Sequence, residues 1–259
     1  MTNLPNLGRY ARQVVYPPLG LDGQKALARA AALIVGVGGL GSHLAELLAR
    51  AGVGRLRLVD SDRVDLTNLH RQALYDQADA EAGRLKVDAA AARIATINSD
   101  VHVEAVAQRL DRHNINALAS GMNLLIDGTD SFGPRFIIND YCVQQGLPWV
   151  FGGVVGAQGQ VMTIVPGRSA CLRCVLQTPP PACTDPNCRE AGVLGPAVAI
   201  VAAHQASEAI KILSGHADSV SPHLLSFDLQ ANTIQRLDAS RPVSDCPCCG
   251  LREFEYLEP

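Results

Sequence analysis

The run Ala32-Leu-Ile-Val-Gly-Val-Gly38 is apolar, rich in branched residues and ends on glycines, and the residues from Leu44 to Ala51 behind it are helix formers with closely spaced apolar positions. This pattern predicts a strand, a tight turn and a helix. Arg55-Leu-Arg-Leu-Val-Asp60 alternates as a second strand, with Gly52-Val-Gly54 stopping the helix before it, so the unit is βαβ and its strands are parallel. The same rhythm continues with an Ala-rich helix near Arg84 to Thr96, strands at Val101 to Ala107 and Asn123 to Asp127, a short helix after Asp111, a helix from Phe132 to Gln145 and a strand at Trp149 to Phe151. Such alternation predicts an α/β fold with a Rossmann-like, doubly wound, mostly parallel sheet. From Gln158 the character changes. A strand at Gln160 to Val165, a Pro- and Cys-rich loop from Gln177 to Cys188, a long helix from about Gly195 to Leu213 and a hairpin of His223 to Asp228 with Asn232 to Leu237 form a C-terminal antiparallel β portion.

Composition narrows the classes. A chain of 259 residues fits one large domain or a domain plus a small appendage, and 47% apolar against 18% charged residues excludes disorder for its bulk. A net charge of -3 lacks the basic excess that sequence-independent nucleic-acid binding needs. The longest apolar stretch, Val193 to Ala203, contains Pro196 and is too short for a membrane span of about 20 residues. Met1 to Gln13 shows no apolar signal core, which predicts a cytoplasmic, reducing location. Eight cysteines in that setting point to thiol or metal chemistry before disulfides.

Gly36-Val-Gly38-Gly39-Leu-Gly41 carries G-x-G-x-x-G between a strand and a helix, so backbone N–H groups face a phosphate or ribose. Asp60 closes the next strand 19 residues later, where a carboxylate accepts hydrogen bonds from ribose hydroxyls. Together these predict an adenosine nucleotide, and Gly38, Gly39, Gly41 and Asp60 are assigned to it. A nicotinamide dehydrogenase is the obvious competitor. Against it stand Asn68, Arg71 and Gln72 on one stretch, with Lys86 beyond; cations and amides suit a triphosphate, whose charge must be neutralised before attack. Asp127-Gly-Thr-Asp130 ends a strand at the same sheet edge. There Asp130 is a candidate Mg²⁺ ligand, with an N-cap for the helix at Phe132 as the alternative.

Cys171-Leu-Arg-Cys174 and Cys246-Pro-Cys-Cys249 form C-x₂-C twice, the ligand arrangement of a tetrahedral, structural Zn²⁺. A redox pair is disfavoured because neither motif reads as the start of a helix behind a strand. Cys188, next to a loop-to-helix junction, is a candidate nucleophile, an inert loop thiol being the alternative.

These motifs, with Arg9-Tyr-Ala-Arg12-Gln13, Ala51-Gly-Val-Gly54, Asp65-Leu-Thr-Asn68-Leu-His-Arg71-Gln72 and Cys188-Arg-Glu-Ala-Gly-Val-Leu-Gly-Pro196, resemble the ThiF/MoeB/HesA family, bacterial relatives of ubiquitin-activating enzymes. The resemblance runs from Arg9 to Gly250. It implies ATP-dependent adenylation of the C-terminal glycine of a small ubiquitin-like sulfur carrier ending in Gly-Gly, with pyrophosphate released. It also implies a homodimer in which Arg12 reaches the partner subunit's phosphates, and a catalytic set of Arg12, Arg71, Lys86, Asp130 and Cys188. The setting of Cys188 leans toward the thiamine branch, served by the carrier ThiS, with the molybdopterin branch and its carrier MoaD as the alternative. A cysteine desulfurase or rhodanese-type sulfur donor is expected. On this resemblance residues 1–259 form one adenylyltransferase domain, with a nucleotide-binding part at about 1–155 and a carrier-binding and zinc part at about 156–259.

Overall fold

Ala31–Val35, strand β1, is buried at every position, as an apolar run requires when helices cover both faces of a strand. Ala32 and Ile34 enter one hydrophobic cluster, and Ala31, Leu33 and Val35 enter another on the opposite face. The structure is a computed structural model that describes residues 7–180 and 192–258. Strands β2 (Arg55–Val59), β3 (His102–Val106), β4 (Leu124–Asp127), β5 (Trp149–Val155), β6 (Gln158–Ile164), β7 (His223–Asp228) and β8 (Thr233–Asp238) complete an eight-stranded sheet in the order β3-β2-β1-β4-β5-β6-β7-β8. Pairing is parallel from β3 to β5 and antiparallel from β5 to β8. This is the expected doubly wound sheet with its antiparallel C-terminal part.

The helices are α1 (Leu7–Val14), α2 (Gly20–Arg29), α3 (Gly39–Ala51), α4 (Gln77–Glu81), α5 (Lys86–Ile97), α6 (Ile115–Ala119), α7 (Phe132–Gln145), α8 (Leu172–Val175) and α9 (Gly195–Leu213). Apolar side chains of α2, α3, α5 and α9 fill the first face, and those of α6, α7 and the cysteine segments fill the second. The sequence marks two of these helices sharply. The left-handed Gly146 (φ 68°) ends α7, and α9 opens with a proline in its first turn, where a missing N–H costs nothing. No helix among the described residues is long and apolar enough to cross a membrane.

Several boundaries differ from expectation, and two of the differences have a visible cause. Strand β5 runs on to Val155, beyond its expected end at Phe151, because it pairs with β6 along its whole length. Strand β8 starts at Thr233 because Asn232 takes a left-handed turn conformation (φ 54°). Strand order reverses between β1 and β4, and the carboxyl ends flanking that point form the crevice in which open α/β sheets bind ligands.

Candidate functional site

The glycine loop is built by close backbone approach. Gly36 is left-handed (φ 81°), and a Cβ on Gly41 would lie 1.8 Å from the Gly36 carbonyl oxygen, so neither position accepts a side chain without moving the loop. The β4 turn sits against it: Gly128 N–H donates to the Val35 carbonyl at 2.8 Å, and a Cβ on Gly128 would lie 2.4 Å from the Gly36 carbonyl oxygen. The α3 N-terminus has Gly38 as its cap, without a side-chain hydrogen bond, so its first N–H groups are not claimed by a capping side chain. Asp60 accepts from Val37 N–H through Oδ2 and from Asp62 N–H through Oδ1, both at 2.8 Å. Each oxygen keeps lone-pair capacity for a further donor such as a ribose hydroxyl.

The cations and amides assemble beside this loop. Gln72 is buried, and its Nε2 lies 3.7 Å from where a Gly38 Cβ would stand; Arg71 Cδ lies 3.9 Å from the same point on Gly39. Arg71 also donates to the Thr67 carbonyl at 3.1 Å. Half-buried Asn68 ends a 3₁₀ turn, Leu66–Asn68, that Asp65 caps by accepting from Thr67 N–H. Lys86, the first residue of α5, is buried and pairs with the exposed Asp62 at 2.9 Å. Asp62 thus links the Lys86 ammonium to Asp60, a connection that the spacing Asp60-Ser-Asp62 hints at and that the motif reading passed over.

Asp130 is exposed and makes no hydrogen bond or ion pair with the described residues. Ser131, not Asp130, occupies the N-cap position of α7, so the capping alternative falls. What fixes this turn is Asp127: Thr129 donates to its Oδ1 through N–H at 2.9 Å and through Oγ1 at 2.7 Å, and Arg135 Nε meets Oδ2 at 2.9 Å. Arg135 Nη2 also donates to the carbonyls of Thr129 at 2.8 Å and Gly152 at 2.9 Å. Burial pushes the Asp127 carboxyl up, while the Arg135 guanidinium and the Thr129 donors oppose the rise. Arg135 is a residue the sequence reading missed. Its only signal is the single arginine of α7, in the first turns of the helix.

Two of the expected catalytic residues stand apart. Arg12 is exposed on α1, and its neighbour Gln13 donates to the Ala51 carbonyl at the C-terminal end of α3. The glycine loop lies at the other end of that helix, about 20 Å away at 1.5 Å per residue. Within one chain Arg12 therefore does not join the loop. Cys188 lies outside the described residues, as does Cys183.

Cys171, Cys174, Cys246 and Cys249 come together with all four sulfur atoms within 4.8 Å of one another. Individual Sγ separations are 3.6 Å for Cys171–Cys246, 3.9 Å for Cys171–Cys174 and 3.3 Å for Cys174–Cys249. Sulfurs bound at about 2.3 Å to a tetrahedral zinc stand about 3.8 Å apart, so the donor set fits that ion in number, softness and span. One ground of the sequence reading does not hold, since Cys171 stands at the N-terminal boundary of the short helix α8, without a side-chain capping bond; the four-sulfur cluster, not the helix position, is what argues for a metal. Asn139 of α7 joins the knuckles by accepting from Leu172 N–H at 2.8 Å and donating to Cys248 Sγ at 3.2 Å.

The sequence pattern of the ThiF family matches residues 10–248. The chain is 40% identical over 251 residues to the sulfur carrier protein ThiS adenylyltransferase of Bacillus subtilis, covering 96% of this chain and 74% of that one. It is 39% identical to the sulfur carrier protein adenylyltransferase of Thermus thermophilus, covering 94% and 91%. It is 42% identical to the adenylyltransferase and sulfurtransferase MOCS3 of Sus scrofa, but spans only 53% of that protein. Among solved structures, E. coli MccB with MccA-N7isoAsn superposes with a TM-score of 0.83 at 23% identity, covering 96% of this chain and 76% of that one, a likeness of fold.

Proposed function

The chain belongs to the ThiF family, and on that premise we propose that it uses ATP to adenylate the C-terminal glycine of a small ubiquitin-like sulfur carrier, releasing pyrophosphate, with a ThiS-type carrier of thiamine biosynthesis favoured. The observation that carries this reading is the convergence of Gln72, Arg71 and Asp60 on the glycine loop, with Lys86 tied to Asp60 through Asp62. Cations and amides gathered beside the loop suit the larger negative charge of a triphosphate better than a nicotinamide dinucleotide. The adenylyltransferase relatives at about 40% identity support the same activity.

The chemistry asks little of the protein beyond placement and charge. A glycine carboxylate is ionised at pH 7, so no general base is needed. Its oxygen attacks the α-phosphorus, the bond to the β-phosphate oxygen breaks, and pyrophosphate leaves as a mixed acyl-phosphate anhydride forms. Two anions must approach, so the enzyme orients them and neutralises the charge that builds on the leaving group. Asp60 holds the ribose, Gly38, Gly39 and Gly41 admit the phosphates to the α3 N-terminus, and Asn68, Arg71, Gln72 and Lys86 contact the triphosphate. Asp130 is the residue that would hold Mg²⁺, which when bound shields phosphate charge. The four cysteines would hold a structural Zn²⁺, closing its coordination and leaving no position for substrate.

In this reading the enzyme is a cytoplasmic homodimer and Arg12 completes the partner subunit's site, in keeping with its distance from the loop of its own chain. Cys188 takes part in the sulfur transfer that follows, fed by a desulfurase or rhodanese-type donor. Residues 1–155 bind nucleotide, and residues 156–259 contact the carrier and carry the zinc. Isotope exchange between ATP and pyrophosphate tests the proposal. It is expected only with a carrier ending in Gly-Gly, and faster with a ThiS-type than with a MoaD-type carrier; the reverse preference would move the enzyme to molybdopterin biosynthesis, and no exchange with tight NAD binding would overturn the reading.

A further inference from the structure

Strands β4 and β5 pair at only two registers, Leu125 with Trp149 and Ile126 with Val150. At that point Gln205 reaches in from α9, fully buried, and its Nε2 donates to the main-chain carbonyls of Asp127 at 2.8 Å and Val150 at 3.3 Å. The carboxamide thereby bridges the carboxyl end of β4 and the first residues of β5, where their ladder stops. It needs room to do so. A Cβ on Gly152 would lie 2.4 Å from the Gln205 carboxamide atoms, which accounts for a glycine in the middle of β5.

The same turn is held from the opposite face by Arg135, which takes the Asp127 carboxylate and the Gly152 carbonyl. Asp127 is therefore gripped by its main chain from α9 and by its side chain from α7. Its other carboxylate oxygen, Oδ1, fixes Thr129, the residue before Asp130. Helix α9 touches the phosphate loop as well: Val198 Cγ1 lies 3.2 Å from the position of a Gly39 Cβ. An apolar side chain of the same length would fill the space of Gln205 but would leave the two carbonyls without their donor, and the carboxyl end of β4 would lose its tie to α9.

We propose that Gln205 is a positioning residue for adenylation: by bridging Asp127 and Val150 it sets the β4 turn so that Asp130 stands at the phosphates of the bound nucleotide. The proposal rests on the adenylation reading. Gln205 touches neither reactant; it acts through the turn.

Gln205→Met keeps the length of the side chain and removes its polar end, and Gly152→Ala displaces the same carboxamide from the strand side. In the full-length protein without nucleotide, each variant is expected to raise hydrogen exchange at the Gly128 and Thr129 amides about tenfold, while exchange in β1 and β7 stays unchanged. In carrier-dependent ATP–pyrophosphate exchange, kcat is expected to fall about tenfold with KM for the carrier within twofold. The half-saturating Mg²⁺ concentration should rise severalfold, and the double variant should be no worse than the stronger single one. Unchanged amide exchange in both variants, or a rate loss with uniform loosening of the sheet and no shift in Mg²⁺ dependence, overturns the proposal. Should Gln205→Met not fold, Gly152→Ala decides by the same readouts. The amide measurement needs no carrier, so failure of the adenylation reading would show separately, as absence of exchange activity in the unaltered protein.

Discussion

Replacing Arg135 by methionine removes the partner of a carboxylate that has no route to solvent. The Asp127 and Arg135 side chains are 0% and 7% exposed and meet at 2.9 Å. Methionine fills much of the same space, so the loss is mainly electrostatic. Breaking a buried ion pair from one side costs about 3–5 kcal/mol, because the remaining charge stays desolvated. The Thr129 donors stay with Asp127, which argues for the lower end of that range. Burial raises the Asp127 carboxyl above its unfolded value of about 3.9, and loss of the guanidinium raises it further. A group whose folded pKa is raised favours the folded state in its protonated form, and that contribution disappears as pH rises through the folded pKa. The deficit of the variant is therefore largest well above that pKa and shrinks as pH falls toward the unfolded value. Urea unfolding at about pH 8 and about pH 5.5 measures this, using the fluorescence of Trp149, the single tryptophan, which is fully buried beside Phe151. A loss below about 1 kcal/mol at both values, or a deficit that grows on acidification, would refute the reasoning.

Asp130→Ala should leave the unfolding midpoint within about 0.5 kcal/mol of the parent, since the side chain is exposed and unbonded, yet lower ATP–pyrophosphate exchange by about a hundredfold or more; near-normal turnover would remove its metal role. Cys249→Ser, or a strong chelator on the parent protein, should release one zinc per chain by elemental analysis and lower the melting temperature by several degrees, because metal binding to the folded cluster is folding energy; absence of zinc in the parent protein would count against the site. Cys188→Ala should form adenylate at the parent rate but pass sulfur to the carrier more slowly, as followed by thiocarboxylate mass; full transfer would return the thiol to an inert role.

The chain writes some of this plainly. The β1 run and its glycines locate the tight loop between β1 and α3 because backbone approach of this closeness leaves few residue choices, as Gly36 and Gly41 show. The two C-x₂-C pairs announce a four-cysteine cluster although 71 residues separate Cys174 from Cys246, since ligand spacing is legible whatever the loop length. Helix α7 ends on a left-handed glycine and α9 starts on a proline, and both boundaries are readable. Less legible are the contacts that depend on which elements become neighbours. Arg135 reads as one more helical arginine until β4 and β5 place Asp127 and Gly152 beside it. Nothing in the chain around Gly152 marks the space it leaves for Gln205, and the pairing of Lys86 with Asp62 shows only once the two are neighbours. Arg12 shows the same limit one level higher, for the role proposed for it needs a second subunit.

The central claim is that the carrier's terminal carboxylate attacks the α-phosphorus of ATP. A Gly-Gly carrier labelled with ¹⁸O in that carboxylate, adenylated by the enzyme and then discharged by a thiol, tests it by mass spectrometry of the nucleotide released. The account predicts AMP carrying one ¹⁸O from the bridging position. Unlabelled AMP, or ADP with phosphate in place of AMP and pyrophosphate, would contradict it.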